Sequence, residues 1–398
     1  MGANTAPGFR LAGDALNQGG AALAPFRVLH VMAPARAGGL ESVVVQLAAG
    51  LRDRGHDAQV ATVLASGTEK GHPVVQALRD RGVPVHVLVF GTRDYLSERR
   101  AVRTLLHQTG ASVLHTHGYR ADAVLGDVAR KAGRANVMTL HGFVGGSRRG
   151  RAYEWLQIQA ARWASGVVAV SSPIVERLKV HGITRNVHLL RNAVAPAHNA
   201  LERAEARLAL KLPADRKIIG WVGRVSHEKG PDLFVEALAR VPDSVHGAIV
   251  GDGQELEAAK GRARELGVSH RLHCLGMIAE ASRYLRAFDG LALTSRTEGT
   301  PMILLESMWA GVPIVATAVG GVPDIVSEQE AVLCAPLDVE MLARAMSSVV
   351  QHPAAAALRA EAARGRVARD FAPEAWIGAH EALYRTLTES RASSQHAP

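Results

Sequence analysis

Two carboxylates, Glu298 and Glu306, stand in the segment Thr297-Glu298-Gly299-Thr300-Pro301-Met302-Ile303-Leu304-Leu305-Glu306. Thr300 reads as an N-cap and Pro301 as the first residue of a helix, where a missing N–H costs nothing. That reading puts Glu298 on the loop before the helix and Glu306 within it, about a turn and a half further on. A helix start offers unpaired N–H groups and a partial positive charge, so an anion is welcome there. Amides for phosphate and carboxylates for hydroxyls suit a ligand that carries both, and an activated sugar nucleotide is one.

Cations lie nearby in the pattern. Gly223-Arg224-Val225-Ser226-His227-Glu228-Lys229-Gly230-Pro231 follows an apolar run that begins at Lys217. Arg224 and Lys229 are expected on a loop leading into a helix near Pro231, placed to neutralise a departing diphosphate. A solvated charged loop would look similar, but the bracketing glycines favour the functional reading. In Pro34-Ala35-Arg36-Ala37-Gly38-Gly39-Leu40-Glu41 the paired Gly38 and Gly39 fit close approach to a phosphate or sugar. They fit a tight turn equally well. Neither this loop nor Gly251-Asp252-Gly253 is a GxGxxG fingerprint, which disfavours a dinucleotide dehydrogenase.

Histidines close two predicted strands, in His115-Thr116-His117-Gly118 and Thr139-Leu140-His141-Gly142. His141 precedes a Gly-rich turn at a strand's carboxyl end and is the candidate for chemistry. His115 and His117 read first as polar residues satisfied at a strand end. Their His-x-His spacing suits a metal, but the sequence shows no third ligand. The chain also lacks an Asp-x-Asp pair, the arrangement that commonly holds a sugar nucleotide through a divalent ion. Side-chain cations and helix dipoles are therefore expected in place of a metal, and no cofactor is predicted.

The elements that must position these residues follow one grammar in both halves. A chain of 398 residues favours two domains. From Phe26, short apolar runs alternate with amphipathic stretches, as in a parallel α/β sheet wrapped by helices. Strands are expected at Arg27–Met32, Ala58–Val63, Val85–Val89, Ser112–His115, Val137–Leu140 and Val167–Val170. The second half restarts with Lys217–Val222, Gly247–Val250, Arg271–Cys274, Leu291–Leu293, Pro313–Thr317 and Ala331–Cys334. Two facing Rossmann-like domains result, spanning 26–195 and 214–372, with a linker at 196–213. Ligands of such sheets bind beyond the strands' carboxyl ends. The segments 1–25 and 391–398 are expected to be disordered tails.

Composition narrows the class. Cys274 and Cys334 are the only cysteines and read as buried thiols of a reducing, cytoplasmic compartment. The N-terminus lacks the pattern of a signal peptide, and no window is apolar enough to span a membrane. The formal net charge of +9 favours acidic partners, whether phosphates or anionic lipid. Nucleic acid is not expected, because no aromatic-basic reading motif appears.

Taken together, these residues resemble the retaining glycosyltransferases of family 4, with the GT-B fold, from Arg27 to Glu381. The resemblance rests on the Glu298-to-Glu306 element, on Trp309-Ala310-Gly311-Val312-Pro313-Ile314-Val315-Ala316, and on Val319-Gly320-Gly321-Val322-Pro323-Asp324-Ile325-Val326. The Gly223–Gly230 and Gly38-Gly39 loops, Arg54-Gly55-His56-Asp57 and Val168-Ala169-Val170-Ser171 also fit. It implies that Glu298 binds donor-sugar hydroxyls and Glu306 the ribose hydroxyls. Arg224 and Lys229 would hold the diphosphate, helped by amides around Gly299, Thr300, Gly38 and Gly39. Met277 would meet the base through its backbone, and His141 would lie beside the transferred sugar. A final helix within 373–390 would cross back to the first domain. Thr300, Ser307 and Ala331 depart from the usual family residues, which leaves the identity of the sugar open.

The implied reaction moves a sugar from a nucleotide-sugar, UDP-linked by expectation, to a hydroxyl of a glycan, lipid-linked or small glycoside acceptor. The basic, aromatic stretch from Ser147 to Ala164 fits contact with anionic membrane, and fits equally a helix packed on the first sheet. The competing readings are a transferase for a small soluble acceptor and a catalytically silent GT-B binding protein.

Overall fold

The computed structural model describes residues 24–35, 38–91, 93–142 and 148–395. The expected N-terminal tail, apart from its last two residues, lies outside them. Among the described residues, thirteen strands form two wholly parallel sheets. The first contains β1 (Arg27–Met32), β2 (Asp57–Ala65), β3 (Val85–Phe90), β4 (Val113–His117), β5 (Ala135–Leu140), β6 (Gly166–Ala169) and β7 (Val187–Leu189). The second contains β8 (Lys217–Val222), β9 (Val245–Val250), β10 (Leu272–Gly276), β11 (Gly290–Leu293), β12 (Ile314–Thr317) and β13 (Val332–Cys334). Their orders are β3-β2-β1-β4-β5-β6-β7 and β10-β9-β8-β11-β12-β13. Each order reverses beside its first strand, so the loops after β1 and β4, and after β8 and β11, flank the crevice where such sheets hold ligands.

The near-continuous apolar runs of these strands reflect helices on both faces. All six residues of β5 are buried, for example. The sequence missed β7, whose three residues Val187–Leu189 form a half-buried edge strand too short to show a period. Cys274 on β10 and Cys334 on β13 are free thiols. They sit on opposite edges of a six-stranded sheet, roughly 24 Å apart by strand spacing and beyond disulfide reach.

The linker is shorter than its composition suggests. Within the expected 196–213 segment, Arg203–Ala209 is a helix that belongs to the second domain. Its Ala206, together with Leu210 and Leu212, packs with Ile218, Leu285, Phe288 and Leu291. The buried Arg207 fastens it, donating to Ala287 O at 2.8 Å, Ala214 O at 2.8 Å and Asp289 Oδ2 at 2.8 Å. The polar, Ala-rich segment looked like a tether because its one buried cation reads as surface charge.

A C-terminal helix, Pro373–Gln395, does cross back to the first domain. It therefore extends into the tail expected from 391, and residues 396–398 lie outside the described residues. Trp376, Ile377, Leu383 and Tyr384 join an apolar cluster that includes Val28, Met32 and Leu47 of the first domain and Met302 and Leu305 of the second. Arg54 holds the helix at its surface through Glu374 O at 2.7 Å and Glu381 Oε2 at 3.2 Å.

Arg207→Ala should lower stability by about 3 kcal/mol, because it removes a buried guanidinium that bridges the carbonyls of Ala287, Pro213 and Ala214 and the Asp289 carboxylate. Urea denaturation followed by far-ultraviolet circular dichroism measures this, whereas a residue in a true linker would tolerate the change.

Candidate active site

The second domain builds a charged shelf from two loops. At the end of β8 a short 3-10 turn, His227–Lys229, stops at Gly230 in the left-handed region, φ 64°. A β-carbon there would lie 2.1 Å from Thr294 O, so only glycine lets this loop press onto the end of β11. Thr294 Oγ1 donates to Gly230 O at 2.7 Å and accepts from Trp221 Nε1 at 3.1 Å. Arg296 adds a second clamp, with bonds to His227 O and to both oxygens of Asp232 at 2.6 to 2.9 Å.

The clamp brings Lys229 and Glu298 together across sixty-nine positions of sequence. Lys229 Nζ lies 2.7 Å from both carboxylate oxygens, and Ser295 Oγ donates to Oε1 at 2.6 Å. Glu298 is almost fully buried, whereas Arg224 remains mostly exposed and reaches Glu228 Oε1 at 2.8 Å. The structure thus brings the expected Lys229 and Glu298 together, with Arg224 on the same loop as Lys229, and adds Ser295 and Arg296, which were not among the expected residues. The serine's only signal was its position three residues before the glutamate.

Glu298 is followed by the point of contact between domains. A β-carbon on Gly299 would sit 2.0 Å from the His141 carbonyl oxygen at the end of β5. Thr300 Oγ1 donates to Val170 O at 2.6 Å, just beyond β6. This overturns the expected N-cap. Pro301 takes that position with extended backbone, φ −70° and ψ 110°, and the helix runs Met302–Ala310. The Thr300 hydroxyl is drawn across the interface to a carbonyl and caps nothing. Nearby, Asp324 Oδ2 accepts from Ser172 N at 2.6 Å.

Glu306 sits inside that helix, as expected, and burial raises its pKa to about 7. Gly39 makes a close approach to a side chain of the other domain. A β-carbon there would lie 3.0 Å from Met302 Cγ. Gly38 precedes the helix Gly39–Asp53, whose Glu41 is buried and accepts from Ala35 N at 2.7 Å. Burial also raises the Glu41 pKa, and the Arg224 charge works against that rise. Met277 lies beyond β10 with an exposed side chain.

His141 lies past the carboxyl end of β5, with Nε2 3.4 Å from His117 Nδ1. The third member of the histidine group, invisible as a local motif, is His30 on β1. Parallel register sets His30 beside His115, and Met32 beside His117. His30 Nδ1 is 3.0 Å from His117 Nε2, while His115 faces Tyr384 Oη at 2.6 Å and Thr139 Oγ1 at 2.7 Å. The ligand atoms of His30, His115 and His117 all lie within 4.8 Å of one another. One signal was available: a polar residue inside the apolar run Arg27–Met32.

Facing parallel domains with a cationic, carboxylate-lined shelf between them define a GT-B glycosyltransferase. The chain belongs to that class, matching the family model "Glycosyltransferase Family 4" over residues 37–198 and "Glycosyl transferases group 1" over 202–366. It is 28% identical over 376 residues to a glycogen synthase of Mycobacterium tuberculosis, covering 85% of this chain and 88% of that one. It is 30% identical to the Escherichia coli UDP-Gal:alpha-D-GlcNAc-diphosphoundecaprenol alpha-1,3-galactosyltransferase, over 54% of this chain and 60% of the relative. The crystal structure of Anabaena HepE in complex with UDP-glucose shares the fold at a TM-score of 0.76 and 22% identity, covering 92% and 99% of the two chains.

Gly299→Ala should hold the domains apart, because the added methyl meets a backbone carbonyl. Turnover should fall roughly a hundredfold, and X-ray scattering should report a larger radius of gyration. Gly365→Ala, whose β-carbon meets nothing within 4 Å, serves as the control.

Proposed function

We propose that the protein is a retaining transferase that moves a sugar from a UDP-sugar to a hydroxyl of a glycan or lipid-linked acceptor, without a metal ion. The observation that carries this reading is the Lys229–Glu298–Ser295 constellation, with Arg224 beside it. Lys229 has three donors; two face Glu298, and the third serves a phosphate oxygen. Arg224 adds delocalised charge on the exposed side. Together they stabilise the diphosphate as the bond from the anomeric carbon to its oxygen breaks.

Glu298 accepts short, charge-assisted bonds from a lysine and a serine, which makes it a poor nucleophile and a good anchor for sugar hydroxyls. A retaining hydrolase would instead offer one carboxylate for covalent attack. The step that fits is front-face substitution. The acceptor oxygen bonds to the anomeric carbon on the side the diphosphate leaves, and the acceptor proton passes to a phosphate oxygen of the leaving group. Glu306 takes the ribose hydroxyls, Met277 meets the base through its backbone, and His141 lies beside the sugar. The amides of Gly38, Gly39, Gly299 and Thr300 assist at the phosphates. UDP is favoured because the HepE structure binds UDP-glucose in the same fold. A lipid-linked acceptor is supported by the name of the galactosyltransferase relative, and a soluble glucan by the glycogen synthase.

We also place the protein on the cytoplasmic face of a membrane, through the helix Arg148–Ala161 and the residues after it. Trp155 is 60% exposed and Trp163 67% exposed, while Glu154, Gln157 and Ile158 are buried. Arg151 and Arg162 are exposed alongside, and the Arg130 guanidinium lies 5.8 Å above the Trp163 ring. The indoles therefore do not pack on the sheet, and outward tryptophans among arginines suit an anionic headgroup layer. Of the expected 147–164 stretch, Ser147 lies outside the described residues. No helix among the described residues is long and apolar enough to cross a membrane.

A screen of UDP- and GDP-sugars by nucleotide release should find one donor that turns over, with the α-configuration kept in the product by NMR. Glu298→Ala and Lys229→Ala should each lose roughly a hundredfold or more. Full activity in both variants would overturn the site, and an inverted product would overturn retention. Sedimentation with phosphatidylglycerol vesicles at low salt should bring down the wild type, and Trp155→Ala/Trp163→Ala should stay in the supernatant.

A further inference from the structure

Behind His141 runs a file of buried imidazoles whose hydrogen bonds allow only one direction at a time. His141 Nε2 faces His117 Nδ1 at 3.4 Å, and His117 Nε2 faces His30 Nδ1 at 3.0 Å. The file ends at His30 Nε2, a buried atom with no hydrogen-bond partner among the described residues. A neutral imidazole has one N–H and one lone pair, so each contact needs one of each and all three rings must be ordered alike. Burial pushes His30 and His141 down to about 3 and His117 well below its usual range, which keeps the rings neutral near pH 7.

The blind end selects the direction. If protons point from His141 toward His30, the His30 Nε2–H is left without a protein acceptor among the described residues. If they point the other way, His30 Nε2 carries only a lone pair, and an unpaired buried N–H is the costlier of the two. In the favoured order His30 Nδ1–H donates to His117 Nε2, and His117 Nδ1–H donates to His141 Nε2. His141 then carries its own proton on Nδ1, the nitrogen that faces away from the file.

We propose that His30 and His117 are positioning residues that fix His141 as the Nδ1–H tautomer, so that it meets the transferred sugar as a hydrogen-bond donor and never as a base. This rests on the reading that His141 lies beside that sugar. It also deepens that reading, since a donor-only histidine leaves the acceptor's proton to the departing phosphate. His115 stands outside the file although its ring centroid is 4.1 Å from that of His117. Both its nitrogens face hydroxyls, on Tyr384 and Thr139. A metal shared by His30, His115 and His117 would have to break one of those contacts.

The test combines nitrogen-15 NMR of histidine-labelled protein with transfer kinetics on the donor found above. The wild type should show His141 protonated at Nδ1. His117→Asn keeps an N–H donor near the position of Nδ1 and should retain the tautomer and most of the activity. His117→Leu and His30→Leu should give mixed tautomers at His141, and His117→Leu should lower kcat about tenfold with donor KM little changed. An Nε2–H His141 in the wild type would overturn the proposal, as would a His117→Leu enzyme that folds with wild-type kcat. So would an equivalent of zinc in the purified protein whose removal by chelator disorders the three imidazoles. His141→Ala separates the two levels. If it abolishes transfer while His117→Leu does not, only the tautomer assignment fails. If His141→Ala turns over normally, the placement of His141 beside the sugar fails.

Discussion

The structure depends on backbone meeting backbone where the two domains close. Gly299 lies under the His141 carbonyl with no room for a side chain, and the Thr300 hydroxyl and Asp324 carboxylate each take a main-chain partner at the ends of the first sheet. Each bond contributes about 1 kcal/mol net, so the closed arrangement is held by several small terms and by shape. The contact falls one residue after Glu298 and one residue after β5, at His141. The charged shelf and the histidine file thus share a boundary because their loops share a contact.

Charge on the shelf is balanced by ion pairs. Two unpaired cations in a narrow cleft would repel one another. Here Lys229 rests on the buried Glu298, and Arg224 rests on Glu228. Ser295 Oγ donates a further short hydrogen bond to one oxygen of that carboxylate. Glu306 is the contrast, a carboxyl without such support that burial lifts to about 7.

The first domain carries different physics. Its strand ends hold neutral imidazoles, and the C-terminal helix of the chain covers them with Tyr384 and His380. That helix also seats Ile377 where Gly50 leaves space in the helix Gly39–Asp53. A segment from the chain's end therefore lies behind the first sheet, so the two domains are tied at the cleft and again by this strap.

Much of this was legible in the chain because local rules suffice for it. Apolar runs of four to six residues between glycine-rich loops mark parallel strands, and β1 and β8 fell at their expected bounds, Arg27–Met32 and Lys217–Val222. Glu298, Lys229 and Arg224 stood out because charged residues bracketed by glycine at a strand's carboxyl end have few purely structural uses. What the sequence could not decide was which polar group meets which across long separations. Thr300 has the side chain of an N-cap, yet a carbonyl of the other domain competes for its hydroxyl and wins. Arg207 looks like linker charge until Asp289 and two carbonyls enclose it. His30 is a lone histidine in a strand until parallel register sets it beside His115 and within reach of His117. Local propensity is a property of neighbours in sequence. Hydrogen-bond partners and burial are properties of neighbours in space, and only the folded chain brings those together.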